Sequence, residues 1–263
     1  MKQLILILSF FTLSLYSQDN SNYYFRMHYL EVSGNIGEFI QANKGYFKAL
    51  AKEGVTQGKW AGWSMLRSVR EPSKFIFVHH FNSSTQLEDV YLNGGIFSQE
   101  VGKKLGLTPP DWSKWSMKVY KPYEIWERNG SVVGKQPSKF FVLNHFKFND
   151  KKKFIENNRT WGNLVVKPQL KKRNGLSWGC ATNLSYGKWE DGKWKSYNGM
   201  SWDGFGSLAE IIDGWSYNEG KIPMYMTKYF KAFGEEIQKN DLGDAMTAKV
   251  SELYEHIDST WID

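Results

Sequence analysis

An internal repeat constrains the fold of this chain more than any other feature of the sequence. Three segments recur in the same order, at spacings of 117, 115 and 131 residues: 28–29 with 145–146, 39–43 with 154–158, and 118–124 with 249–255. The spacing of 115 holds without a gap as far as Trp63 and Trp178. Each match alone is weak, but three in one order predict a duplicated unit. The growth of the spacing to 131 predicts an insertion in the second copy, around residues 222–238.

Each copy has the same predicted order of strands and helices. Along residues 24–32 and 139–148 the side chains alternate with a period of two between two faces, which predicts a first strand in each copy. An amphipathic helix follows each strand, and then come two further strands joined by a turn. In the second copy Asp191-Gly192 predicts a two-residue hairpin turn. A second helix and a last strand complete each copy, so the predicted order is β-α-β-β-α-β.

That order is the one found in the ferredoxin-like unit, and two such units in one chain resemble the dimeric α+β barrel superfamily. The resemblance implies an α+β fold in which two ferredoxin-like repeats, at residues 23–130 and 137–263, close into one intramolecular barrel with the helices outside. It implies that the lumen is the ligand site, and it assigns no catalytic residue. The superfamily includes cofactor-free monooxygenases and haem-handling enzymes. Two helix-plus-sheet domains packed in another way are the open alternative.

Residues 1–17 have the pattern of a secretory signal peptide. Lys2 precedes an apolar run at residues 4–11, and the small residue Ser17 precedes the expected cleavage before Gln18. The run is shorter than the roughly 20 apolar residues needed to cross a bilayer, so no membrane span is predicted. We therefore expect the mature protein to be exported, either to a periplasm or to the medium.

The net charge and the cysteine content exclude several classes of partner and site. The formal net charge is +7, but the longest basic runs are the triplets at residues 151–153 and 171–173. Nucleic-acid binding needs a longer basic stripe, so we expect no nucleic-acid partner. The single cysteine, Cys180, excludes an internal disulfide framework. A small molecule is the expected partner, and an oligomer is left open.

The predicted ligand site is an aromatic and histidine-lined lumen. Aromatic residues make up 16% of the chain, and apolar cavities with a few polar groups are the usual ligand sites. Alternation along the first strand of each copy turns one face to the lumen, and we place there Tyr24, Arg26, His28, Phe141, His145 and Lys147. An imidazole can act there as a base, a proton shuttle or a metal ligand. The complete set of predicted ligand-binding residues is His28, His145, Arg26, Tyr24, Trp63, Trp178, His79, Tyr123 and Tyr254.

Other kinds of chemistry have less support in the sequence. A histidine repeated at equivalent strand positions can also be hydrogen-bonded packing. The chain contains no H-E-x-x-H metal spacing, so we predict no metal site and identify no cofactor. Cys180 lies in a predicted strand, where a buried, inert thiol is expected. Glu124 and Glu255 recur together, and such carboxylates are expected to face water.

Taken together, these patterns predict an exported small-molecule-binding protein of the α+β barrel type, with no reaction assigned. One alternative is an oxygenase-like or haem-dependent enzyme of the same fold, in which His28 or His145 is the base or the axial ligand. The other alternative is a glycan-binding module that uses exposed tryptophans, for which the candidates are Trp112, Trp115, Trp126, Trp189, Trp194, Trp202 and Trp215.

Overall fold

A computed structural model of the protein describes residues 23–92, 99–173, 175–185, 197–214 and 226–261. Eight strands form the centre of the fold: β1 (Tyr23–Ser33), β2 (Gly62–Ser68), β3 (Lys74–Phe81), β4 (Ser116–Val133), β5 (Phe140–Lys147), β6 (Ser177–Asn183), β7 (Gly199–Phe205) and β8 (Thr247–Ser259). The predicted signal peptide and the predicted Asp191-Gly192 turn lie outside the described residues.

Within the described residues, seven α-helices accompany the strands: α1 (Ile36–Ala42), α2 (Lys48–Thr56), α3 (Ser84–Leu92), α4 (Gln99–Lys104), α5 (Lys151–Trp161), α6 (Leu208–Gly214) and α7 (Thr227–Lys239). A short polar side chain begins the first helix of each half, since Asn35 accepts from the backbone N–H of Glu38 and Asp150 accepts from that of Lys153. In the described part of the chain, no helix is both long and apolar enough to cross a lipid bilayer.

The eight strands close into one antiparallel barrel, in the order β1-β3-β2-β8-β5-β7-β6-β4. Within this order the first four strands of the chain lie as β4-β1-β3-β2, and the last four lie as β8-β5-β7-β6. The two halves join where β2 pairs with β8 and where β4 pairs with β6. The predicted closed α+β barrel is therefore confirmed.

Apolar side chains fill the inside of the barrel. Every strand contributes at least one buried side chain to a single interior cluster, which consists of Phe25, Met27, Tyr29, Leu66, Ile76, Val78, Trp126, Leu143, Ala181, Met200 and Tyr254. Two further cores lie between the sheet and the helices, one in each half. Burying each large apolar side chain contributes about 1.5–3 kcal/mol, so the interior is a structural core as well as a lumen.

The structure corrects the predicted faces of β1. Phe25, Met27 and Tyr29 point into the barrel, whereas Tyr24 packs against the core on the helix side. Arg26 and His28 share the face of Tyr24, because side chains alternate along a strand. For β5, Phe141 and His145 do point into the barrel as predicted, since Phe141 packs in the interior cluster and His145 contacts the interior ring of Trp126.

A one-residue register error explains the wrong faces. In the first half, His79 pairs with Arg26 on one side and with Trp63 on the other. In the second half, Asp203 pairs in the same way with Val142 and with Trp178. The first strands of the two halves therefore correspond at a spacing of 116 residues (26 to 142) and not 117. A shift of one residue exchanges the two faces of a strand, so the counterpart of His28 is Asn144 rather than His145.

Candidate functional site

Four predicted site residues meet on the outer, helix-facing side of the first half. We call the group of Arg26, His28, His79, Tyr123 and Trp60 the His28 cluster. The imidazole of His28 lies 5.1 Å from that of His79 and 5.8 Å from the ring of Tyr123, measured between centroids. The ring of Trp60 also contacts His79, with centroids 5.1 Å apart. The cluster thus joins β1, β3, β4 and the segment after α2.

Strand pairing brings these side chains together. Arg26 and His79 are direct partners in the β1–β3 ladder, so their side chains share one face. In the β1–β4 ladder Met27 pairs with Glu124 and Tyr29 with Lys121, which leaves two residues of β4 opposite His28. One of the two is Tyr123, and this bulge aims its ring at the histidine.

The contact between Arg26 and His79 fixes the protonation pattern of the second imidazole. Nη2 of Arg26 lies 3.3 Å from Nδ1 of His79. Because a guanidinium has donors and no acceptor, Nδ1 of His79 must accept this hydrogen bond. A neutral His79 therefore carries its proton on Nε2.

Both imidazoles of the cluster are neutral at neutral pH. Burial, followed by the charge of Arg26, lowers the pKa of His28 to about 4. Burial is also the main reason why the pKa of His79 lies well below its ordinary value, and the neighbouring His28 and Arg26 add to this. Within the described residues, no group hydrogen-bonds to the buried Nε2 of His28. This nitrogen is therefore both shielded from solvent and unpartnered within the described chain.

The cluster reaches the surface at Tyr123. This side chain is 49% exposed, whereas His79 and Trp60 are only 6% and 2% exposed. The guanidinium of Arg26 lies over the same phenol ring, with Cζ 5.9 Å from its centroid. A planar molecule arriving from solvent would therefore meet an aromatic ring first, and then a neutral imidazole beside a positive charge.

The remaining predicted residues do not join the cluster as polar groups. Trp63 is buried in the core on the helix side of the first half, where Tyr24 packs against the same core. Trp178 is buried in the corresponding core of the second half. His145 and Tyr254 lie inside the barrel, and the phenol of Tyr254 donates to Oε2 of Glu252 at 3.0 Å.

The barrel interior holds polar residues that sequence reasoning missed or placed in water. Glu124, expected to be solvated, is only 5% exposed. Its Oε2 accepts from the hydroxyl of Tyr29 at 2.6 Å, and its Oε1 lies 2.9 Å from Nζ of Lys121. A hydroxyl donor and an ammonium together compensate for the burial of this carboxylate. No sequence signal marks this group, because Tyr29 lies 95 positions earlier in the chain.

Two other expectations can be compared with the structure. Cys180 is buried, and burial raises the pKa of its thiol to about 12, so the predicted inert thiol is confirmed.

Four of the candidate tryptophans for glycan binding are described, and all are buried or half-buried: Trp112, Trp115, Trp126 and Trp202. The other three lie outside the described residues. Within the described ranges, no group of three or more histidine, cysteine or acidic side chains is arranged to hold a metal ion.

Two solved structures resemble the whole fold at low sequence identity. A provisionally assigned monooxygenase of Lactobacillus acidophilus NCFM is 10% identical over 90% of this chain and 95% of its own, with a TM-score of 0.54. Another, from Fusobacterium nucleatum subsp. nucleatum ATCC 25586, is 10% identical over 91% of this chain and 94% of its own, with a TM-score of 0.50. No protein-family model and no curated protein sequence matches the chain. The likeness shows the α+β barrel fold.

Proposed function

We propose that this α+β barrel protein binds a small, planar aromatic molecule that carries an ionisable hydroxyl group, and that it does so at the His28 cluster. One observation carries the proposal: the buried Nε2 of His28 has no hydrogen-bond partner among the described residues. It belongs to a neutral imidazole beside a guanidinium. The small-molecule ligand expected from the sequence is kept, and its place moves from the lumen to the outer face.

The chemistry of the cluster suits a phenol or an enol. A hydroxyl group donates to the free lone pair of a neutral imidazole. The charge of Arg26 favours the ionised form of such a hydroxyl, because opposite charges attract strongly where water is scarce. The anion in turn favours the charged form of His28, so the proton can pass to Nε2. Tyr123 supplies a flat, exposed surface for the aromatic part of the ligand.

Titration with 4-nitrophenol tests this site, because the ionised form of this compound is yellow. We expect the protein to increase the yellow fraction at a fixed pH below neutrality, since the cluster favours the phenolate. The variant His28→Gln should lose this effect. The matched control is His256→Gln, which alters a histidine that contacts the barrel residue Phe141. Equal binding by wild type and His28→Gln would contradict the proposal.

An oxygenase reaction is the second candidate at the same site. A phenolate is oxidised more readily than the neutral phenol, so a site that favours the anion prepares its ligand for reaction with O₂. The two similar solved structures are both named as monooxygenases, which supports testing this reaction class. The test is oxygen uptake in an electrode with electron-rich phenols, in wild type and in His28→Gln. Uptake that is unchanged in the variant would exclude this role for His28.

Haem is the cofactor that the sequence left open, and His28 is the residue that would hold it. The free Nε2 is the atom that binds iron in histidine-ligated haem proteins, and haem would supply oxygen chemistry at the iron. We place no haem at His145, because the rings of Trp126 and Tyr197 pack against its imidazole inside the barrel and block the approach of a group as wide as a porphyrin. Titration with haem distinguishes the candidates, since a Soret shift that is lost in His28→Gln supports haem and its absence in wild type excludes it.

We also propose that the two halves, residues 23–130 and 137–263, descend from one ferredoxin-like unit, and that the mature protein is exported after loss of residues 1–17. The recurring segments and the equivalent strand orders of the two halves support the first point. The basic and apolar pattern at the N-terminus supports the second. N-terminal sequencing of protein from the native host should give Gln18 as the first residue.

A further inference from the structure

We propose a second binding site inside the barrel, beside the rings of Trp126 and His145, for a compact single-ring molecule that carries one hydroxyl group. The site lies on the opposite face of the sheet from the His28 cluster. It does not depend on the function proposed for that cluster.

Two buried polar atoms of this pair have no hydrogen-bond partner among the residues that the structure describes: Nε1 of Trp126 and Nε2 of His145. Trp126 is fully buried and His145 is 4% exposed. Their ring centroids are 6.3 Å apart. Because buried polar groups in folded proteins are nearly always hydrogen-bonded, two unpartnered groups this close together point to a shared ligand.

The topology explains how the two rings meet. Trp126 belongs to β4 and His145 to β5, and β6 and β7 separate these strands in the barrel. The rings therefore approach each other across the lumen and not along a ladder. Apolar and aromatic side chains surround the pair, including Tyr197, whose ring centroid lies 5.5 Å from that of His145. Phe25 stacks on Trp126 with centroids 6.5 Å apart, and Met200 is the ladder partner of His145.

Hydrogen-bonding capacity selects a hydroxyl group. The indole N–H of Trp126 only donates, whereas a neutral imidazole has one nitrogen that accepts. The imidazole of His145 is neutral, because burial and then the charge of Lys121 lower its pKa to about 3. One hydroxyl can accept from Trp126 and donate to His145 at the same time. The ammonium of Lys121 is already paired with Glu124, so the site offers no free charge to an ionic ligand.

The test compares phenol with toluene, which has a similar shape and lacks the hydroxyl. The readout is the indole ¹⁵N–¹H resonance of Trp126, identified by its absence from the spectrum of Trp126→Phe and by conventional assignment of wild type. Phenol should move this resonance and should bind at least roughly tenfold more tightly than toluene, since tenfold is the factor expected for the first of its two hydrogen bonds. In Trp126→Phe, followed by the ring resonances of His145, the preference for phenol over toluene should shrink, because only the hydrogen bond to His145 remains.

The same titration in His28→Gln separates this site from the His28 cluster. We expect the Trp126 resonance to respond to phenol as in wild type. A resonance that ignores phenol, or that moves equally with toluene, would overturn the interior site. So would a response that disappears in His28→Gln. The wild-type spectrum decides the question even if Trp126→Phe does not fold.

Discussion

Arg26 donates from Nη2 to Nδ1 of His79 across 3.3 Å, between direct partners of the β1–β3 ladder. This bond holds a permanent positive charge against two imidazoles. Because that charge opposes protonation of both rings, it acts in the same direction as burial. The result is a pair of uncharged histidines over the whole physiological pH range, with a cation beside them that can favour a negative ligand.

Replacing Arg26 should raise the pKa of His28. In Arg26→Gln we expect a value above the present one of about 4 and still below the ordinary value, because burial, the larger cause, remains. An NMR titration of the histidine rings measures it. Arg128→Gln is the control, since Arg128 lowers the pKa of His80 and is not a cause for His28. An unchanged His28 in Arg26→Gln would contradict the electrostatic account.

Truncating the two histidines should have unequal effects on stability. His28 is half-buried and its Nε2 makes no hydrogen bond within the described chain, so His28→Ala should lower the free energy of unfolding by about 1 kcal/mol. His145 is 4% exposed inside the barrel, so His145→Ala leaves a cavity and should cost about 2–3 kcal/mol. Urea unfolding measures both. A loss of roughly 3 kcal/mol in His28→Ala would mark this residue as structural.

Asp203 should make the protein less stable as the pH rises. Burial raises the pKa of its carboxyl to about 7, against smaller lowering effects from Asn144 and Trp161. The unfolded carboxyl titrates near ~3.9, so the folded state holds a proton that the unfolded state releases. This contribution to stability is complete below about pH 4 and is lost as the pH rises through about 7.

The variant Asp203→Asn measures that contribution. At low pH its free energy of unfolding should equal that of wild type, and at pH 8 it should be higher by on the order of 4 kcal/mol, the equivalent of about three pKa units. Urea unfolding at several pH values gives the difference. Asp241→Asn is the control, because Asp241 is exposed, lies 2.6 Å from Nζ of Lys153, and has a lowered pKa. A pH-independent difference between wild type and Asp203→Asn would refute the assignment.

Gly179 should not tolerate a side chain. A Cβ at this position of β6 would overlap the indole of Trp202, so Gly179→Ala should cost about 1–3 kcal/mol. Gly45→Ala is the matched control, because no atom lies within 4 Å of a Cβ built there. Thermal unfolding compares the two. Similar melting temperatures for both variants would show that Trp202 moves aside freely.

The fold was predictable because alternation and element order are local properties of the sequence. The strand at residues 24–32 shows a period of two, and the structure extends it by one residue at each end, as Tyr23–Ser33. Which face of β1 turns inward was not predictable in this way. Both faces carry aromatic residues, and matching His28 with His145 chose the wrong one by a single residue.

Most residues of the candidate site could be predicted from the sequence, but the face of the sheet on which they lie could not. Arg26, His28, His79 and Tyr123 do come together, because they share a face of neighbouring strands. The role of Trp126 was hidden, since a tryptophan gives no sign in the sequence of whether its N–H has an acceptor. Such groups become visible only when distant strands pack around them.

The pairing of β2 with β8 has a consequence for synthesis. The backbone N–H of Trp63 reaches the hydroxyl of Thr260, 197 positions later. Until β8 has left the ribosome, the first half keeps one bare strand edge, and exposed edges invite intermolecular association. Ribosome-bound chains that stop before residue 247 should therefore depend on chaperones and form aggregates when released, while release after residue 261 should give a soluble product.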